Sequence, residues 1–252
     1  MASATTLSDR QRRRVRGLLD ERSPADALAG YYALHSPAER AQLYVHPDGD
    51  GPADGFLVVA RTGIDLFRPL VTFRAASEPV ALALFRAGLS PGRPLYLTVP
   101  ERLAVWANRN LAVTDAERHR IYRLDVRRFE PVINVLVVTG YDPGGGPRCE
   151  IRPGGEVGAV AGVNWQSPDF AEVYVYTEPA VRGRGWGKAV VSSLISLILK
   201  SGRTPLYVVS ESNDYSIRLA EAVGFTDTGY REYVGHAVWE GGPAGDRLRP
   251  SG

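Results

Sequence analysis

The sequence predicts an α/β protein on a mixed sheet, and three observations carry that reading. Short apolar or alternating runs of strand length recur, among them GFLVVART, RPLYLTVP, EVGAVAGVNW, AEVYVYTEP and TPLYVVS. Between them lie runs with apolar residues at helical spacing, most clearly Val191, Leu194, Ile195 and Ile198. Helix punctuation falls where these runs meet: proline opens PERLAVWANRNL, Gly88 closes EPVALALFRAGL, and Gly224-Phe225 stops the helix over 213–223.

Taken in order, Ser8 or Asp9 caps a first helix running to about Glu21, with Val15, Leu18 and Leu19 on one side. Its arginine-rich run, RQRRRVR, is a solvated face. Shorter helical pieces follow around 24–34 and 37–45. GFLVVART and DLFRPLVTFRA read as strands, the second broken at Pro69. The helix EPVALALFRAGL, the strand RPLYLTVP, the helix PERLAVWANRNL and the strand HRIYRLDVRRF complete the first half. Glu130-Pro131 marks a joint, and VINVLVVTG beyond it reads as a buried strand by its continuous β-branched run. Then come RCEIR, a turn at Pro153–Gly155, EVGAVAGVNW, AEVYVYTEP, a helix over about 185–200, TPLYVVS, the helix over 213–223, and one or two final strands in TDTGYREYVGHAVWE. The expected organisation is an N-terminal α/β domain over 1–130, a second domain over 131–240 and a flexible tail over 241–252.

Composition bounds the function. With 44% hydrophobic and 23% charged residues among 252, the chain is an ordinary globular protein. No apolar run reaches the roughly 18–20 residues of a membrane span, and the N-terminus lacks the order of a secretory signal. A net charge of +2 is too small to argue for nucleic acid, and no nucleic-acid partner is expected. The single cysteine, Cys149, excludes an internal disulfide framework and a cysteine-rich zinc site, and the four histidines (35, 46, 119, 236) lack metal spacing. No metal is expected, and a reducing cytoplasm is the simplest home. Cys149 itself reads as a small buried hydrophobe.

Glycines concentrate between AEVYVYTEP and the helix that follows, in RGRGWGK. The P-loop pattern fails there, because Arg182 stands at its first glycine and Ala189 at its hydroxyl. The dinucleotide fingerprint fails because Lys188 stands at its third glycine. What remains is R-x-x-G-x-G at Arg182, Gly185 and Gly187, after a strand and opening a helix. Free amides of that first turn, with the positive end of the helix dipole, suit a pyrophosphate. Glycine permits close approach and φ > 0, while Arg182, Arg184 and Lys188 add positive charge.

This loop resembles the acyl-CoA signature of the GNAT superfamily of N-acetyltransferases. Around it the strand, loop, helix, TPLYVVS and NDYSIRLAEAVGF follow in that superfamily's order, and Asn213, Ser216 and Gly224-Phe225 match its N-x-x-S/A…GF pattern; the likeness covers about 148–238. YTEP before the loop and SNDYSIRLAEAVGF are similar to zwittermicin-type resistance acetyltransferases. Glycine N-acyltransferases, which pair a degenerate GNAT-like N-terminal half with a working C-terminal half, are similar in organisation.

The resemblance implies a GNAT fold in the C-terminal half and a second, degenerate GNAT-like domain before it. It implies acetyl-CoA as co-substrate, bound by Val175, Tyr176, Thr177, Arg182, Gly183, Arg184, Gly185, Trp186, Gly187, Lys188, Asn213 and Ser216. Direct attack of a small molecule's primary amine on the thioester follows, with the Val175 amide near the oxyanion. Glu172 matches the slot of a strand glutamate that deprotonates the amine, one residue nearer to Arg182 than usual; a salt-bridged edge glutamate is the other reading. Period-2 alternation puts Glu172, Tyr174 and Tyr176 on one face, which suits a raised pKa. Many members carry a tyrosine acid where this chain has Ala220. Tyr215, Tyr230 or Tyr233 could substitute, or the thiolate leaves unaided, so no acid is assigned. His236 and the pair Asn164-Trp165 stand near the acceptor side by position. The alternatives are a CoA-binding or sensing module with impaired catalysis, and a protein or peptide amine as acceptor.

Overall fold

The structure, a computed structural model, describes residues 4–49, 51–63, 65 and 67–242; residues 243–252 of the expected tail lie outside the described residues. In chain order the elements are α1 (Ala4–Arg16), α2 (Ala27–Gly30), β1 (Ala41–His46), β2 (Gly55–Ala60), β3 (Leu70–Ala75), α3 (Glu78–Gly88), β4 (Pro94–Pro100), α4 (Ala104–Asn110) and β5 (Ala112–Leu124). There follow β6 (Val138–Tyr141), β7 (Pro147–Ile151), β8 (Ala159–Gln166), β9 (Phe170–Thr177), α5 (Trp186–Lys200), β10 (Thr204–Ser210), α6 (Asp214–Ala222) and β11 (Phe225–Val238).

Three sequence expectations fail here. Residues 8 and 9 lie inside α1 rather than at its start, and the helix stops at Arg16, where turns begin. The segment 37–45 supplies β1 rather than a helix, because Gln42–Val45 pair antiparallel with Phe56–Val59 at a sheet edge. The run VINVLVVTG is not a buried strand: residues 131–137 make no ladder, β6 begins only at Val138, and Ile133 and Val135 are more than nine-tenths exposed. Its β-branched composition met no covering layer, so burial never followed propensity.

The chain forms two compact units, Met1–Arg118 with Arg231–Gly252, and His119–Tyr230. In the first, antiparallel β1, β2 and β3 are followed by β4, which is parallel to β3 at Leu70↔Tyr96 and Val71↔Leu97. Beyond that pairing the two strands continue apart. Helices α3 and α4 cover one face, packing Leu84, Phe85 and Ala107 against Phe73, Leu97 and Val99, while Val15, Tyr32 and Leu34 cover Phe56 and Val58 on the other. Burial at this level contributes about 1.5–3 kcal/mol per large side chain.

The second unit repeats that order: antiparallel β6–β7–β8–β9, a helix, then β10 parallel to β9, then a second helix. Here α5 lays Val190, Val191, Leu194, Ile195 and Ile198 on Ala159, Ala161, Ala171 and Val173. Each unit is closed by a strand from the other half of the sequence. β5 follows α4, yet its residues His119–Arg123 flank β10; β11 follows α6, yet its Glu232–Val238 flank β4.

Candidate functional site

In the second unit β9 and β10 pair only over Phe170–Glu172 and Thr204–Leu206. Both strands then run on, β9 to Thr177 and β10 to Ser210, without pairing to each other. On its other side β9 stays bonded to β8 as far as Thr177↔Ala159. The β10-facing edge of Val173–Thr177 therefore offers strand hydrogen-bonding groups inside a wedge, which an extended ligand can use as it would a neighbouring strand. Val175 is partly buried against the core, Tyr176 is half exposed and its hydroxyl donates to Glu178, and Thr177 is buried.

Immediately beyond β9 the chain makes the glycine loop. Gly183 and Gly185 both sit in the left-handed region, at φ 79° and 75°, and a Cβ at either would meet nothing within 4 Å. Gly185 is the N-cap of α5, and the first helical amide bonded within the helix is that of Ala189, to Gly185. The amides before it have no acceptor within the helix and stand at the positive end of its dipole. Gly187 has a different reason to be glycine from close phosphate approach: it lies within α5 at ordinary φ, and a Cβ there would stand 2.9 Å from Thr177 Oγ1. It lets α5 press onto the end of β9.

The cations around the loop have defined seats. Arg182 Nε donates to the Thr177 carbonyl at 3.2 Å, and its guanidinium stands 5.9 Å from the Tyr215 ring centroid. Arg184 stacks 5.5 Å from Trp186, whose ring packs on Gly158, where a Cβ would be 2.7 Å away. Lys188 is exposed on the first turn of α5. Across the wedge, Asn213 caps α6 by accepting from the Ser216 amide at 3.1 Å. Tyr215, half exposed, brings its hydroxyl to 4.0 Å from the position a Gly187 Cβ would take. That proximity was invisible in sequence, since 28 positions separate Gly187 from Tyr215.

Glu172 is buried on β9. Its Oε1 accepts from Asn164 Nδ2 at 2.6 Å and its Oε2 from Trp165 Nε1 at 2.7 Å. Adjacent strand residues ordinarily point to opposite faces; a register shift between Val163 and Trp165 lets both donors meet one carboxylate. Burial pushes the Glu172 carboxyl up, and the two hydrogen bonds oppose that without cancelling it. The structure thus replaces the salt-bridged edge glutamate with a buried, uncharged-donor site. Ala171 and Val173 face the α5 core, and Glu172, Tyr174 and Tyr176 lie on the opposite face.

The remaining candidates separate. Ala220 is fully buried and presents no hydroxyl. Tyr233 belongs to the first unit, donating to Asn108 Oδ1 at 2.7 Å, and Tyr230 is half exposed at the end of the second. His236 also lies in the first unit, between Arg68 and Asp115. Tyr207, absent from the sequence-derived set, sits just past the last β9–β10 pair; burial pushes its phenol up, partly offset by a hydrogen bond with Ser216. Cys149 is fully buried, and burial pushes its thiol up to about 11, so it is inert as a nucleophile. Among the described residues no three His, Cys, Asp or Glu side chains group as metal ligands, and no helix is long and apolar enough to cross a membrane.

A splayed parallel strand pair feeding a glycine loop and helix defines the GNAT class of fold, and comparison with known proteins agrees. Residues 151–234 match the family described as FR47-like protein. A tandem GNAT protein from the clavulanic acid biosynthesis pathway is 14% identical, with TM-score 0.65 over 100% of this chain and 98% of that one. A GCN5-related N-acetyltransferase-like protein from Streptococcus suis 89/1591 is 14% identical, with TM-score 0.60 over 91% and 99%. A GCN5-related N-acetyltransferase from Kribbella flavida is 15% identical, with TM-score 0.58 over 88% and 96%. No curated protein matches the chain. The protein has the GNAT fold in its C-terminal half and a second, GNAT-like unit in its N-terminal half. In that first unit α3 opens with Glu78 and Pro79 in place of a glycine loop, which puts a negative charge and a missing amide where an anion would need donors.

Proposed function

We propose that the protein is a CoA-dependent N-acyltransferase that moves an acetyl or short acyl group to the primary amine of a small molecule by direct attack in a ternary complex. The observation that carries this reading is the open β9 edge leading straight into the α5 N-terminus. The site fits acetyl-CoA on its own geometry: the edge of Val173–Thr177 that β10 leaves unpaired suits an extended amide chain, and open left-handed glycines at 183 and 185 suit a pyrophosphate. Arg182, Arg184 and Lys188 supply positive charge there, and Asn213 and Ser216 shape the opposite wall.

Acetyl-CoA supplies the activated thioester. The chain aligns the amine against the carbonyl carbon, so that a C–N bond forms as the C–S bond breaks. The Val175 amide is placed to stabilise developing charge on the carbonyl oxygen. Glu172, with its carboxyl pushed up by burial, takes the amine proton, directly or through water. The leaving thiolate, with an ordinary pKa of about 8.5, departs without a donor from position 220.

Acetyl-CoA with a panel of primary amines, followed by free-thiol release, tests this. Turnover supports it. Ala220 favours one other outcome, tight CoA binding with no release for any amine, which would make the protein a CoA-binding module.

A further inference from the structure

The sheet face away from α5 carries a feature that acyl transfer does not use. Cross-strand register sets two rows there: Gly140, Arg148, Gly162, Tyr174, and Val138, Glu150, Val160, Tyr176. Glycines flank Arg148 on both sides. A Cβ on Gly162 would stand 2.6 Å from the Tyr174 hydroxyl, so that glycine admits the ring, while Gly140 faces open space. Beside Arg148, along β6, its turn and β7, lies a cavity of about 340 Å³, walled by Val138 and Tyr141 and charged by Asp142, Arg148, Glu150 and Arg152.

The polar atoms of that lining leave a specific surplus. Glu150 is shared, Oε1 accepting from Arg148 Nε and Oε2 from Arg152 Nε at 2.5 Å. Arg148 Nη1 donates to the Tyr174 hydroxyl, and Arg152 Nη1 to the Gly155 carbonyl, each at 3.3 Å. The two Nη2 groups have no partner among the described residues, and each carries two N–H donors. Asp142 spends Oδ1 on the amides of Gly144 and Gly146 in its own turn, at 2.7 and 2.9 Å. Two guanidiniums set against the carboxylates of Glu150 and Asp142 leave the lining near neutral overall, with unspent guanidinium donors. That suits a monoanion with planar acceptors, a carboxylate, whereas a phosphate dianion would face Glu150 and Asp142 with excess charge.

We infer that this cavity anchors a carboxylate of the acceptor substrate. β7 and β9 are two strand spacings apart, about 10 Å, so the carboxylate lies that far from an amine reacting at the β9 edge. About three extended peptide residues span the same distance. The acceptor class is then an extended amino acid or short peptide with a free carboxyl terminus, a conclusion that rests on the acyl-transfer reading.

Glycine, diglycine and triglycine, each as free acid and as C-terminal amide, test it with acetyl-CoA and free-thiol release. The expected result is an acid-over-amide preference in kcat/KM that grows with length and reaches at least tenfold for triglycine. Arg152→Gln, at a half-exposed position, should raise the triglycine KM toward that of its amide. Equal kcat/KM for acids and amides overturns the anchoring subsite while leaving acyl transfer standing. Failure of all six when another primary amine reacts overturns it too. Failure of every amine overturns the acyl-transfer reading itself.

Discussion

Trp165 donates its indole N–H to Glu172 Oε2 at 2.7 Å, from a strand position that a register slip turned toward the carboxylate. With Asn164 on the other oxygen, both donors are neutral, so they offset only part of the cost of burying the charge that ionisation would create. Glu172→Gln should lower kcat by about 10²–10⁴-fold, the usual worth of a positioned base, and leave CoA affinity intact. The acid limb of the wild-type pH profile should report a group above the ordinary glutamate value and vanish in the variant. An unchanged rate across pH removes Glu172 from the mechanism.

The same carboxyl predicts a stability effect of definite sign. Its folded pKa is raised, so the folded state holds the proton more tightly than the unfolded chain. That contribution is fully present below the unfolded value and is lost as pH rises through the folded one. Melting temperatures across this window should fall more steeply for wild type than for Glu172→Gln, whose amide does not ionise. Asn164 can turn its own amide to accept from the new NH₂ group. Parallel curves would mean the carboxyl titrates normally.

Gly187 and Thr177 predict a rescue. Gly187→Ala places a methyl group 2.9 Å from Thr177 Oγ1 and should lower thermal stability, and Thr177→Ala in the same chain should restore most of it. Differential scanning calorimetry of the two singles and the double closes the cycle, and additive losses would show that the two do not meet.

Gly185→Ala separates backbone strain from steric blocking. Its left-handed φ of 75° costs about 1–2 kcal/mol for an L side chain although the space is open. CoA binding by calorimetry should weaken about tenfold, the equivalent of about 1.4 kcal/mol, as the loop relaxes. An unaltered Kd would mean the loop geometry is irrelevant to CoA.

Strand exchange makes the halves interdependent. A fragment of residues 131–252 lacks β5 and leaves the β10 edge unpaired along its inner length. Expressed alone it should aggregate or give poor amide dispersion by NMR, and co-expression with residues 1–130 should recover a soluble complex. A well-folded fragment would show that β5 is dispensable.

Local chemistry made much of this protein legible. The helix α5 declared itself through Val191, Leu194, Ile195 and Ile198, its start through Gly185, and the end of α6 through Gly224, which sits at φ 100°. These signals read well because each depends on neighbours within a few residues: apolar spacing, an αL position, a capping side chain. VINVLVVTG misled for the same reason, since β-branched content reports only a capacity for burial and cannot report the missing layer above Ile133 and Val135.

By itself the sequence determined the donor half of the site: the glycine loop, its cations and the strand–loop–helix order around them. Tertiary structure decided the rest, because those features depend on which strands become neighbours. The early parting of β9 from β10, the bulge that turns Asn164 and Trp165 onto Glu172, and the seating of Gly187 against Thr177 are set by register across strands. So are the cross-strand row that sets Arg148 beside Tyr174 and the exchange of β5 and β11. Register is chosen by the sum of long-range packing, which no local pattern of residues records.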